Sequence, residues 1–581
     1  MSDSGKKQTR RDFLRQSMMA SASISPLSLF LSNMASHYIT NATALAQGLP
    51  TEHMMNMFTV YLAGGPARWV WDQALSPKAE ISDLKNPSLI TKFGQGFDNA
   101  PGVYKSVMID DVYLPHIWSG KIPTVNGSVQ MEDLAHHMLA IRGIGNPNDG
   151  HDNNAAKLIT PVNGPNIPGL LSDLSTRPLP SVGISGSAGF FKSSKGVSHI
   201  SVSESGNMLY SALSPFTLSR RFTGQDGQLL YDADLGLPNG ISTSTEALFD
   251  QFFVAMSQNS GSLHRFLPST YQDRKNAKNL MMQDFSTLST VFSNLSLKYS
   301  TLVQRCFNDS SVFLSGVDDV PVVGNKESPF FNIQCDTPSI SGRGKYSGSD
   351  LRASFTASTA ISGLVSSFVL AEYMLTMKYS QSVVGVIRGI QNLQFDQLYS
   401  VDSAGNPVSA TSNESGAYSL DHHFCGASTL LLMNTRFYRA LSACLFELIS
   451  VLKNTDGNMF NRTAINIISE FSRNTLAGGG ETAHGYKGVP FSMFNGMIRK
   501  AHVIGNIGYE YNNTTALTAR GLWGAAAPMQ TMGGRPLNAG NIASTIASVV
   551  GVPSPSPNNM SLITIENGEI KPLVNEKENI S

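Results

Sequence analysis

Hydrophobic and polar positions along this chain fall into blocks of two kinds. Met57-Phe58-Thr59-Val60-Tyr61-Leu62 is a nearly continuous apolar run that stops at Ala63-Gly64-Gly65-Pro66, which predicts a strand buried on both faces and ended by a tight turn. Met138-Leu139-Ala140-Ile141 and the proline-bounded Ser181-Val182-Gly183-Ile184 predict two more strands, and Pro168 to Leu174 a short helix between them. Further on, a helix from about Ala360 to Tyr379 precedes the β-rich run 382–387. A long helix follows, with Leu430, Met433, Phe437, Leu441, Cys444, Leu448 and Val451 on one face, and then a strand over 464–468. Strands that alternate with helices predict an α/β fold around a mainly parallel sheet.

The middle of the chain departs from this rhythm. Leu288, Val291, Phe292, Leu295, Tyr299 and Leu302 recur at helical spacing, so a helical insertion is expected over about 215–350. Ser341-Gly342-Arg343-Gly344 and the stretch from Asp402 to Gly416 are polar and rich in small residues, which predicts surface insertions, and the polar tail 567–581 is expected to fray.

The amino terminus carries a different signal. Thr9-Arg10-Arg11-Asp12-Phe13-Leu14 leads into a weakly apolar stretch and then the small-residue site Ala44-Leu45-Ala46. This order resembles a twin-arginine export signal over 1–46, so the mature chain is expected to begin near Gln47 and to work in the periplasm or outside the cell. The twin-arginine export machinery is then a partner, and the main α/β domain spans 47–566.

Composition narrows the function. Charged residues make up 14% of the chain, and Lys+Arg 42 balances Asp+Glu 42. No basic stripe speaks for nucleic acid. Past the signal no uncharged apolar run reaches the roughly 18 residues of a transmembrane helix. The four cysteines form no Cys-x-x-Cys pair. Cys306 and Cys335 are a candidate disulfide in an oxidising compartment. Cys425 and Cys444 would stand roughly 28 Å apart on one helix, too far to bond.

Open parallel sheets bind ligands beyond the carboxyl ends of their strands. Polar residues at those places are Asp72 after the Gly64-Gly65-Pro66 turn, His151, Asp421-His422-His423, Glu470, and His484 in a glycine-rich loop. Carboxylates and imidazoles that converge have the donor chemistry of zinc or another first-row divalent ion. The Asp421-His422-His423 triplet also has the pattern of a helix cap with two exposed histidines. The triple glycine lacks the Lys-Ser/Thr of a phosphate loop, and no Gly-x-Ser-x-Gly elbow occurs. Neither a dinucleotide fingerprint nor a haem or iron-sulfur pattern supports an oxidoreductase.

At these residues the chain resembles a twin-arginine-exported family of unknown function in the alkaline phosphatase and sulfatase superfamily. Gly64-Gly65-Pro66 is similar to the family's Gly-Gly-Pro-Ser turn, and Ile141-Arg142-Gly143 with His151 and Ala155 to its Arg-Ser segment followed by His and Ala. Asp421-His422-His423 is similar to its Asp-Thr-His, Glu470-Phe471-Ser472-Arg473-Asn474 to its Glu-Phe-Gly-Arg-Thr, and Ala483-His484-Gly485 to its Asp-His-Gly. Arg535-Pro536-Leu537, Ala543-Ser544-Thr545 and Val549-Val550-Gly551-Val552 resemble its terminal segment.

The resemblance implies an alkaline phosphatase-like three-layer α/β/α sandwich and an exported, metal-dependent hydrolase of phosphate or sulfate esters. By it Asp421, His423, His484 and Glu470 would hold a divalent metal, with zinc the leading candidate. Glu470, His151 and Arg473 would serve the reaction, the guanidinium suiting an anionic ester. Ala483 and Phe471 stand where relatives offer ligands, which makes a second metal unexpected, and Thr160 is a position to test as nucleophile. The alternative expectation is a non-catalytic exported binding protein that uses the same fold for a cell-envelope glycan or other component.

Overall fold

The computed structural model describes residues 55–73, 106–145, 151–159, 164–175, 177, 179–184, 186–194, 199–202, 220–223, 229–232, 290–315, 318, 356–357, 361–395, 398–401, 407–411, 414–421, 427–475, 482–485, 488–510 and 522–574. The stretch 1–46 expected as an export signal, Cys335, Cys425, Thr160, His422, His423 and the triple glycine lie outside them.

Among the described residues nine strands form the central sheet. They are β1 (Asn56–Leu62), β2 (Met138–Gly145), β3 (Ser181–Ile184), β4 (His199–Val202), β5 (Ser382–Ile387), β6 (Thr463–Ser469), β7 (Val489–Phe494), β8 (His502–Ile504) and β9 (Leu537–Asn538). The order is β8-β2-β7-β6-β1-β5-β3-β4, with β9 also on β2. All neighbours run parallel except β7, which is antiparallel to both β6 and β2. The fold is therefore mixed α/β with a mainly parallel sheet, as the alternating pattern predicts.

Both faces of β1 are buried, which is why it reads as a continuous apolar run. Phe58, Val60 and Leu62 pack on one side with α3 (290–308), α4 (Leu364–Thr376) and α5 (Ala427–Lys453). Met57 and Tyr61 pack on the other with α1 (His151–Ile159), α2 (Ile167–Leu174) and α6 (Ala539–Val550). The 290–308 helix puts Phe292, Tyr299 and Leu302 into the core as its spacing predicts, with Cys306 beside them, whereas Val291, expected on the same face, is exposed. It is moored by Lys298, which reaches Glu372 on α4 at 2.7 Å and Glu447 on α5 at 3.1 Å. Cys306 and Cys444 are buried free thiols, and burial raises the pKa of each.

Around the surface insertion expected over 402–416 the described residues form β pairs: Gly389–Phe395 pairs with Glu414–Ser419, and Leu398–Val401 with Pro407–Thr411. One expectation needs correcting. The start of the carboxyl-terminal tail is ordered, because Glu569–Pro572 pairs with Ile563–Glu566 while Ile570 and Val574 are buried. One apolar residue in two on a short hairpin is enough to seat a polar sequence on a core. The middle region is mixed as well, since Arg220–Thr223 and Leu229–Asp232 form a hairpin.

Two buried imidazoles give stability a pH dependence. His199 sits between Ser181 Oγ on Nδ1 (2.8 Å) and Ser187 Oγ on Nε2 (2.7 Å), and burial pulls its pKa down to about 4. Burial, helped by Lys500, does the same to His502, also to about 4. Between the ordinary value of 6.5 and about 4 the unfolded chain binds more protons than the folded one, so this stability is full above the upper value and is lost as pH falls. Urea midpoints are expected to drop progressively across that window. Substituting His199→Gln should flatten part of the drop, and an unchanged slope would remove His199 from the account.

Candidate functional site

The site forms where four parallel strands end at one rim of the sheet. In register, Leu62 on β1 faces Ile387 on β5 and Ser469 on β6, so the residues after each of these arrive at the same level. After β1 the chain turns through Gly64 (φ 106) and Gly65 (φ 63). A Cβ on Gly64 would lie 2.5 Å from Asp421 N, and one on Gly65 would lie 2.2 Å from the Phe471 ring. Only glycine combines this backbone with so close an approach. The sequence of the turn is thus what lets the ends of β1 and β6 and the Leu420-Asp421 segment meet.

Glu470, the first residue after β6, is fully buried. Its Oε1 accepts from Gly64 N (2.6 Å) and meets His151 Nδ1 (3.0 Å). Its Oε2 is buried without a hydrogen-bond partner, which is costly for a carboxylate unless something polar or cationic meets it. His151 is the first residue of α1, which follows β2, and its Nε2 stands 3.9 Å from Asp421 Oδ2. The imidazole therefore spans two carboxylates.

Arg473 closes the group. It is fully buried, gives Nη2 to Gly64 O (2.8 Å), forms an ion pair with Asp421 Oδ1, and lies over the Phe471 ring at 5.1 Å. Phe471 also lies against His151 with 5.2 Å between ring centres. It is a packing hub between the imidazole, the guanidinium and Gly65. Trp69 Nε1 donates to Arg473 O (2.6 Å) and fixes the backbone from the other side.

Asp72 sits apart from this group. It is buried in a two-point pair with Arg68, with Ser492 Oγ at 2.5 Å as a third partner. Arg68 in turn reaches Ser469 Oγ (3.1 Å). Burial opposes the charge of Arg68, but the charge and hydrogen bonds of Asp72 outweigh it and raise the guanidinium pKa. The pair ties the turn after β1 to β6 and β7.

The fold thus brings together four of the sequence candidates: His151, Asp421, Glu470 and Arg473. His484 lies on the strand Thr482–Gly485, whose backbone pairs with Ser472–Thr475 and sets His484 opposite Arg473. It is on a hairpin strand and not in the open loop expected from the glycines. His423 is outside the described residues. Among those described, no group of three or more His, Cys, Asp or Glu is arranged to hold a metal ion, and no helix is long and apolar enough to cross a membrane.

Comparison of the chain with protein-family models, curated proteins and solved structures gives no match. The reading of the site therefore rests on its own chemistry.

That chemistry partly fits a divalent ion. Glu470 Oε2 is a buried anionic oxygen without a hydrogen-bond donor, and Asp421 stands across the imidazole from it. Two carboxylates against one guanidinium leave a net negative charge while His151 is neutral, and a divalent cation would reverse that sign in favour of an anionic substrate. Two residues that sequence reasoning passed over belong to the neighbourhood. Phe471 counts there only as a missing ligand, although it spaces the polar groups. Arg388 directly follows β5 and is found by the same strand-end rule that marks Glu470.

Proposed function

We propose that the chain is an exported, metal-dependent hydrolase of phosphate or sulfate esters, on an alkaline phosphatase-like α/β/α sandwich, acting in the periplasm or outside the cell. The observation that carries this reading is the buried Glu470 Oε2, which has no hydrogen-bond donor and lies on a carboxylate that an imidazole joins to Asp421. Asp421, Glu470, His423 and His484 would hold the ion, zinc being the first candidate. When bound, it would supply a Lewis acid for the ester oxygens.

The remaining work falls to the chain's own side chains. Glu470 accepts the Nδ1 proton of His151, which leaves the lone pair on Nε2. His151 Nε2 can then take a proton from an attacking water and return it to the leaving alcohol. Arg473 holds Asp421 and the Gly64 carbonyl in place and adds positive charge beneath the substrate.

A second reading is a non-catalytic exported protein that binds an envelope glycan. It draws support from Arg473, which already compensates the charge of Asp421. One set of measurements separates the two. Mature protein is expected to carry about one divalent ion per chain, measured by elemental mass spectrometry, and to lose it on His484→Ala. A panel of aryl phosphates, phosphodiesters and sulfates with added Zn²⁺, Mn²⁺ or Ca²⁺ is expected to show hydrolysis that Asp421→Ala abolishes. Metal-free preparations that stay silent across the panel would leave the binding protein as the better reading.

A further inference from the structure

The opposite edge of the sheet holds a second group of side chains with chemistry of its own. His137 directly precedes β2, and Lys453 ends α5, the helix that leads into β6. Both stand on the side where these strands begin, away from Glu470. His137 Nδ1 lies 3.0 Å from the Ile498 carbonyl and must donate to it, which leaves the Nε2 lone pair facing Lys453 Nζ at 2.8 Å. Phe460 walls the pair: its ring stands at a right angle to the imidazole with 5.3 Å between centres, and Nζ is 5.7 Å from its centre. Lys453 remains open to solvent.

An amine within hydrogen-bond reach of a base, with the base oriented by a third group, is the arrangement of an activated nucleophile. The charges around it agree. Burial lowers the pKa of Lys453, and Arg499, one residue past Ile498, lowers it further against the pull of Asp133, so more of the side chain is neutral amine near pH 7 than in an ordinary lysine. Asp133 is close enough to act by charge, yet the bond is made to the imidazole. Burial also lowers the pKa of His137; Lys453, His136 and Arg499 add to it and together outweigh the Ile498 bond. His136 is itself tied to Asp110 Oδ2 (2.5 Å). The base is therefore neutral and its lone pair stays on Nε2.

We propose that Lys453 and His137 form a covalent binding site for a small α-oxo acid, held as an imine on Nζ, with Arg499 drawing its carboxylate. The Nζ lone pair bonds to the carbonyl carbon while the π pair moves to oxygen. His137 Nε2 takes each proton that the nitrogen sheds and passes it to that oxygen, which leaves as water. No oxidant or reductant enters. This site lies outside the hydrolase reading and does not depend on it.

The test incubates the full chain near neutral pH with glyoxylate, the smallest α-oxo acid, and cyanoborohydride, which reduces an imine to a stable secondary amine. Labelled lysines are then timed by peptide mass spectrometry. Lys453 is expected to be labelled roughly a hundredfold faster than the exposed Lys121, the lower end of what a positioned acid-base group supplies. His137→Gln should bring Lys453 down to the rate of Lys121 with circular dichroism unchanged. Arg499→Ala, at an exposed position, should slow labelling by glyoxylate more than labelling by the neutral acetaldehyde. Equal rates at Lys453 and Lys121 in the parent would overturn the proposal, and so would a fast Lys453 that His137→Gln does not slow. Equal slowing of the two aldehydes by Arg499→Ala would overturn the assignment to an α-oxo acid.

Discussion

Arg68→Ala is expected to destabilise the protein by about 3–5 kcal/mol, the usual loss when one member of a buried ion pair is removed. Arg68 and Asp72 are both fully shielded and joined at two points. Without the guanidinium, the Asp72 carboxylate keeps only Ser492 Oγ as a donor among the bonds described. Ser469 and the Ile467 carbonyl on β6 lose their contacts at the same time. Urea unfolding of the single variant and of the double variant Arg68→Met/Asp72→Leu checks this. The double variant should recover much of the loss, because it leaves no orphaned charge. A loss below about 1 kcal/mol, the scale of an exposed pair, would show that the pair is solvated.

Glu470→Gln is expected to separate the two oxygens of that side chain. The amide keeps the shape and one acceptor, so Gly64 N and His151 Nδ1 retain a partner and the fold should survive. The buried Oε2 becomes a donor nitrogen that no cation will approach. Metal content should fall to background, and ester hydrolysis should drop by roughly 10²–10⁴-fold, the range for losing a positioned acid-base group. Circular dichroism and melting behaviour should remain near those of the parent. A variant that folds, keeps its metal and hydrolyses at the parent rate would mean that Glu470 serves only to fasten the turn.

The parts of the fold legible in the sequence are those whose packing leaves a one-dimensional trace. β1, β5 and β6 lie in the middle of the sheet with helices on both faces, so they read as unbroken apolar runs. The long helix α5 reads from its repeating apolar face. β7 is hidden by Pro490 and by Ser492, which turns inward to meet Asp72. β8 is only three residues long, and β4 carries His199 where an apolar residue would be expected. In the arm over 389–419 apolar residues pair with polar or small ones, as Leu393 with Gly416 and Leu398 with Thr411, so its second strands leave little hydrophobic signature.

The site was legible to the extent that one rule locates it. Polar residues just past parallel strands mark His151, Glu470 and Arg388, and the same rim collects Asp421 and Arg473. The rule does not say which partner each group takes. Asp72 looks like a ligand by position but spends both oxygens on a buried arginine, and Phe471 looks like a lost ligand but spaces the cluster. The Arg68–Asp72 pair spans only one turn of chain, but Asp72's third partner Ser492 and Phe471's partner His151 lie hundreds of positions away, which no local pattern encodes.

The arm between Arg388 and Leu420 leaves and rejoins the domain through a narrow neck, where Leu420 N meets Arg388 O and Gly389 pairs with Ser419. A closed neck makes Asp421 indifferent to what lies beyond it. The excursion is thus a cassette: its outer hairpin can lengthen, shrink or be exchanged among descendants, reshaping what the protein meets at its surface, while the carboxylate stays at its post.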